Sequence, residues 1–121
     1  MALQLVWFKR DLRLEDHRPL IQALALGDVL PLYIVEPDLW RQQDASGRQW
    51  EFCREALLDL QQAMAALGQP LVIRRGDAVA VLERARRQLG VSGLWSHEET
   101  GNDWTYARDK RVAAWARERS I

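Results

Sequence analysis

The sequence predicts a doubly wound α/β fold: a mostly parallel sheet of about four to five strands with helices on both faces. Two observations predict it. Short apolar runs alternate four times with longer segments of helical period along the 121 residues. The runs are nearly continuously apolar, not apolar on every second residue, and that is the pattern of strands buried on both faces of a parallel sheet. Strand, helix, strand in repetition then requires right-handed crossovers that lay helices on either side.

Each element has its own signals. Leu3–Phe8 (LQLVWF) reads as the first strand and ends abruptly in Lys9-Arg10-Asp11. Asp16 is placed to cap a short helix that reaches Leu26, with Pro19 tolerated in the first turn and Gly27 as terminator. Val29–Val35 reads as the second strand, closed by Glu36-Pro37-Asp38; its Pro31 lacks a ladder donor and fits best near the strand start. The longest helix is expected over about Ser46–Leu67, where Cys53, Leu57, Leu60, Met64 and Leu67 recur at spacings of three and four before Gly68. Leu71–Ile73 is the third strand. Asp77 can cap the next helix, whose Ala78, Leu82, Ala85 and Leu89 share a face and which stops at Gly90. Gly93–Ser96 reads as the fourth strand. The last helix is expected from about Asp103 to Arg119, with Trp104, Ala107, Arg111 and Trp115 on one side. Such folds finish by returning a strand to the sheet, and Ile121 would be its first apolar residue, which suggests that the chain is a piece of something longer.

Composition narrows the function classes. Seventeen Lys and Arg balance seventeen Asp and Glu, which argues against a nucleic-acid-binding face spread over the whole chain. The 48% hydrophobic content belongs to a folded domain, and residues 1–121 suffice for one. A single Cys excludes an internal disulfide framework and a Cys-based zinc site. No apolar run nears the ~20 residues that span a bilayer, and no basic stretch precedes the first apolar run as in a signal peptide, so a cytoplasmic location without membrane contact is the expectation.

Ligands of open α/β sheets bind beyond the carboxyl ends of the strands, where strand order reverses. Those ends are the loops Lys9–Glu15, Glu36–Gly47, Arg74–Asp77 and His97–Asn102, and they hold most of the concentrated polar chemistry. With the first strand central, the loops after strands one and four flank the crevice. Neither a G-x-G-x-x-G turn nor a G-x-x-x-x-G-K-[ST] loop occurs, which removes the common phosphate cradles. His97-Glu98-Glu99 could ligate a metal, but His17 is remote in sequence, so the stretch reads as a solvated loop and no metal site is expected. Cys53 lies on the apolar stripe of its helix and reads as core. Of the six Trp, Trp7, Trp95, Trp50 and Trp115 read as packing residues, while Trp40 and Trp104 fall at the strand-end loops and could line a site for a planar ring or face a missing domain.

The stretch Val6-Trp7-Phe8-Lys9-Arg10-Asp11-Leu12-Arg13-Leu14-Glu15-Asp16-His17 resembles the opening of the DNA photolyase/cryptochrome family: an apolar strand, a basic pair, D-L-R, then an acidic residue followed by Asn or His. Leu30–Pro37 resembles the family's second strand, Arg75-Gly76-Asp77 the turn after its third, and Ala107-Arg108-Asp109 the start of its fourth helix. The four matches lie in register over essentially the whole chain.

The resemblance implies the N-terminal α/β domain, Rossmann-like in form, of a longer flavoprotein. A helical domain of the same polypeptide would carry FAD and the groove for damaged DNA, so DNA would be met through that domain and not through this one. The N-terminal domain of the family holds a light-harvesting antenna, a folate, deazaflavin or flavin, which passes excitation energy to FAD. By the same resemblance, Phe8, Lys9, Arg10, Asp11, Glu36, Arg48 and Glu98 are the antenna-binding candidates, with no catalytic residue and no metal ligand among them. Folate-binding members carry Asn-Glu where this chain has Trp104-Thr105, so a deazaflavin or FMN is favoured over folate. Asp11 and Arg13 read more readily as braces of their loop than as ligand contacts. Three rivals stand beside the repair reading: the same domain in a cryptochrome, a stand-alone nucleotide- or flavin-binding module, and a docking domain with an empty crevice.

Overall fold

The computed structural model describes residues 3–9, 11–13, 17–42, 47–97 and 102–121. The elements run β1 (Leu3–Phe8), α1 (Arg18–Leu26), β2 (Asp28–Val35), α2 (Pro37–Trp40), α3 (Gly47–Ala66), β3 (Val72–Arg75), α4 (Ala78–Leu89), β4 (Val91–Trp95) and α5 (Asp103–Glu118). The four strands are parallel in the order β3-β2-β1-β4. Strand order therefore reverses between β1 and β4, which flank the switch point.

Two apolar layers cover the sheet, one on each face. Val6, Phe8, Val29 and Tyr33 pack with Leu20 and Ala23 of α1 and with Leu57, Leu60 and Met64 of α3. Leu5, Trp7, Leu32 and Ile34 pack with Ala78 and Leu82 of α4 and with Val112 and Trp115 of α5. The alternation of β1 between these clusters, with five of its six residues buried, is what a central strand needs. Pro31 is tolerated in β2 because pairing with β3 begins only at Leu32. Gly93 has a different reason: a Cβ there would collide with Gln4 Oε1, which accepts a 2.7 Å hydrogen bond from Trp95 Nε1 across the β1–β4 pair.

Several local expectations are corrected. The cap of α1 is His17, whose Nδ1 accepts from the Leu20 N–H at 3.1 Å; Asp16 and Ser46 lie outside the described residues. The short α2 was expected as loop; Pro37 at its first turn supplies a pre-set φ and needs no donor there. On α5 the buried stripe is Thr105, Arg108, Val112 and Trp115, not Trp104, Ala107, Arg111 and Trp115. Arg108 joins the buried stripe because ion pairs with Glu36 and Asp109 and the Trp7 ring let the guanidinium go inside. The α4 caps follow expectation: Asp77 Oδ2 accepts from Ala80 N–H, and Gly90 ends the helix at a left-handed φ of 69°. Ile121 lies outside any strand; its N–H donates to Ala116 O and its side chain packs against the α4–α5 layer.

Candidate functional site

The carboxyl ends of β1 and β4 bring together side chains from four distant parts of the sequence. Asp11, just past β1, is buried, and its two oxygens divide their work. Oδ1 accepts from the Lys9 N–H at 2.8 Å. Oδ2 accepts from His97 Nδ1 at 2.6 Å and faces His17 Nε2 in direct contact. Burial alone would push the Asp11 carboxyl up, but the hydrogen bonds from His17, Lys9 N–H and His97 outweigh it and hold the group well below the usual carboxylate range. Asp11 is thus a carboxylate that braces its loop.

The proton inventory of the two imidazoles follows from their partners. His17 Nδ1 accepts from the Leu20 backbone, so its proton sits on Nε2 and is given to Asp11. His97 gives its Nδ1 proton to the same carboxylate, which leaves Nε2 with a free lone pair; its side chain is 32% exposed. The two rings lie 4.5 Å apart, and His17 also meets Phe8 at 4.7 Å. Sequence distance had set His17 apart from His97, and the return of β4 alongside β1 closes that gap. Asp11, His17 and His97 form a set from which a metal could in principle draw three ligand atoms. Ligation by His17 Nε2 would require it to lose the proton that its capping role places there.

A second charged group adjoins the first. Lys9 Nζ, almost fully buried, donates to His97 O at 3.0 Å and lies 3.4 Å from Asp109 of α5. Arg108, one turn from the α5 start and 1% exposed, places Nη1 3.3 Å from Glu36 Oε1 and Nε 3.3 Å from Asp109 Oδ1. Both cations use the Trp7 ring: Lys9 Nζ stands 4.6 Å and the Arg108 guanidinium 4.8 Å from its centroid, with Trp104 5.6 Å from Arg108. Cation–π contacts of this kind reach about 2 kcal/mol when desolvated, which helps offset the cost of burying the charges. Asn102 caps α5 by accepting from the Thr105 N–H at 2.9 Å, and the Thr105 hydroxyl donates to Asn102 O. That places buried Thr105 where the folate-binding pattern would need an acidic side chain.

The β2 side of the strand ends carries the aromatic surface. Trp40 of α2 meets Trp50 of α3 edge to face at 5.1 Å, and the buried Trp40 Nε1 donates to no acceptor among the described residues. Arg48, two residues before Trp50, is exposed in the first turn of α3. A planar ring bearing carbonyl oxygens fits that donor set: an indole face, an orphaned indole N–H and a guanidinium.

The site candidates sort as follows. Lys9, Asp11 and Glu36 converge at the strand ends. Phe8 is fully buried in the α1–α3 layer and meets the cluster through the His17 ring. Arg48 lies on the aromatic side. Arg10 and Glu98 lie outside the described residues. His17, His97 and Arg108 were not among the candidates. Only His97, directly after a strand, carried a sequence signal for site membership.

The DNA photolyase family model matches residues 4–121. Over 101 residues the chain is 41% identical to the deoxyribodipyrimidine photo-lyase of Salmonella typhimurium, covering 78% of this chain and 21% of that one. It is 29% identical to the cryptochrome DASH of Gloeobacter violaceus over 90% of this chain and 23% of that one. Its fold superposes with a TM-score of 0.86 and 28% identity on the photolyase of Sulfolobus tokodaii, over 97% of this chain and 27% of that one; that crystal structure holds two FAD molecules, with the implication of a novel light-harvesting cofactor. The chain thus spans about a quarter or less of the length of these relatives.

Proposed function

The chain belongs to the DNA photolyase family, and from that premise we propose that it is the antenna domain of a deoxyribodipyrimidine photolyase-like flavoprotein that repairs pyrimidine dimers in DNA with light. FAD and the damaged DNA are met by a helical domain of the same polypeptide, and this domain holds a second chromophore, a deazaflavin or FMN. When bound, that chromophore absorbs light and hands its excitation energy to FAD. The residues here bind and orient; none need act as acid, base or nucleophile, and the domain by itself is catalytically silent.

One observation carries the antenna reading: the buried Trp40 indole N–H has no acceptor among the described residues, in a ring that meets Trp50, with exposed Arg48 two residues before Trp50 in α3. A buried donor left unmatched costs about 1–3 kcal/mol, and a carbonyl of a planar ring would remove that cost. Trp40 would donate to the ring, Trp50 would wall it, and Arg48 would bind its polar edge. Buried Thr105 in place of an acidic residue supports a flavin-type ring over folate. Identity of 41% to a photo-lyase against 29% to a cryptochrome supports the repair assignment over the photoreceptor one.

The test is a repair assay on the complete polypeptide that contains this domain. Blue light should convert thymine-dimer DNA to monomers, with none converted in the dark. FAD-loaded polypeptide that binds dimer DNA yet repairs nothing under light would move the assignment to a cryptochrome.

A further inference from the structure

We propose that His97 is a ligand-contacting residue of this crevice, accepting through Nε2 a hydrogen bond from an N–H of the planar heterocycle, and that Asp11 and His17 are the positioning residues that fix its ring. The inference rests on the antenna reading and adds a contact to the residues that the resemblance implied.

The argument is one of proton placement. Strand order reverses between β1 and β4, and His97 stands two residues past the end of β4 at that switch point. Its Nδ1–H is committed to Asp11 Oδ2 at 2.6 Å. Asp11 cannot drift, because its other oxygen takes the Lys9 N–H and His17 holds Oδ2 from the far side. His17 cannot turn either, because its Nδ1 caps α1 through Leu20 N–H. The His97 backbone is pinned by Lys9 Nζ at its carbonyl. A carboxylate that holds one imidazole nitrogen fixes tautomer and orientation, so the second nitrogen presents a lone pair in a set direction. Among the described residues no hydrogen bond engages His97 Nε2, and the side chain is one-third exposed, so the ring is open to a ligand. The imide N–H of a flavin or deazaflavin ring has the complementary polarity. A metal ion is the rival occupant, and ligation by His17 Nε2 would require the other tautomer of that ring, at the expense of the cap on Leu20 N–H.

The chain has two histidines, so ring nitrogens can be read one by one in a long-range proton–nitrogen NMR spectrum of the 15N-histidine-labelled protein at pH 8. Before ligand, His97 should show a protonated Nδ1 and a bare Nε2, and His17 the opposite tautomer. On saturation with FMN the His97 Nε2 resonance should move towards the hydrogen-bonded position while His17 stays. His97→Phe should weaken FMN binding roughly tenfold, the loss of one hydrogen bond, in a protein that still folds. Asp11→Asn should redistribute the His97 tautomers and weaken FMN without touching it. Saturable FMN binding with an unmoved His97 Nε2 and unchanged affinity in His97→Phe would overturn the inference and leave the antenna reading standing. Folded protein that binds no FMN would overturn both. Zinc that shifts both histidines at stoichiometric concentration would overturn the tautomer assignment in favour of a metal site.

Discussion

Asp11 and His97 lie 86 residues apart in the chain and are joined by a 2.6 Å hydrogen bond between Oδ2 and Nδ1. The bond closes the switch point of the sheet, tying the loop after β1 to the loop after β4. Through His17 the same carboxylate reaches the first turn of α1. One buried charge therefore organises three segments.

Removing that charge should be costly. Asp11→Ala leaves the His17 Nε2–H, the His97 Nδ1–H and the Lys9 N–H without their acceptor, and the expected loss is about 3 kcal/mol of folding stability. Asp11→Asn keeps one oxygen and should lose less. Urea unfolding followed by tryptophan fluorescence measures both; an Asp11→Ala midpoint equal to the wild type would contradict the bracing role.

Stability should fall in acid with a defined sign. Asp11 and Glu83 both have folded-state values below their ordinary ones, Asp11 by its hydrogen bonds and Glu83, at about 2, first by the hydrogen bond from Arg86 and then by the charge of Arg119. A lowered carboxyl contributes stability that is complete above the ordinary range near 4 and is lost as pH drops through the folded value. The urea midpoint should hold from pH 7 to about 5, then decline through pH 4 to 2. A midpoint that rises over that lower interval would contradict both assignments.

The buried Arg108–Glu36 pair should be expensive to break and cheap to replace. Arg108→Met takes the guanidinium away from the buried Glu36 carboxylate and from Asp109, at a cost of roughly 3–5 kcal/mol. Adding Glu36→Gln should return much of it. A double-mutant cycle on the two positions measures the coupling, and additive losses would show that the pair does not act as one unit.

The two apolar layers should each be needed. Leu60→Ala in the α3 layer and Leu82→Ala in the α4 layer each remove a nearly fully buried side chain and should cost about 2–5 kcal/mol. Guanidinium denaturation of each single variant and of the double variant tests this. Because the layers lie on opposite faces of the sheet, the losses should add within about 0.5 kcal/mol.

The fold was legible because its signals are local. Continuous apolar runs mark the four strands, Leu57, Leu60 and Met64 mark the inner face of α3, and Asp77 and Gly90 mark the ends of α4. Half of the site was legible for the same reason: Lys9, Asp11 and Glu36 sit directly beyond apolar strands. What stayed hidden depended on tertiary contacts. Arg108 has no apolar neighbour pattern to announce burial; its place is set by Trp7 and Glu36, from two other stretches of sequence, and by the adjacent Asp109. His17 looked like a residue one step past a better cap, and its imidazole takes over capping because Asp11 fixes the far nitrogen.

The central claim is that the crevice binds a planar chromophore, and an equilibrium titration of FMN with the folded protein tests it most directly. Flavin fluorescence anisotropy should rise to saturation at one FMN per chain. Arg48→Ala should shift the curve to higher protein concentration with unchanged unfolding behaviour, since Arg48 is exposed. Anisotropy that stays flat for FMN, and equally flat for a deazaflavin, with protein whose circular dichroism is fully folded would contradict the account.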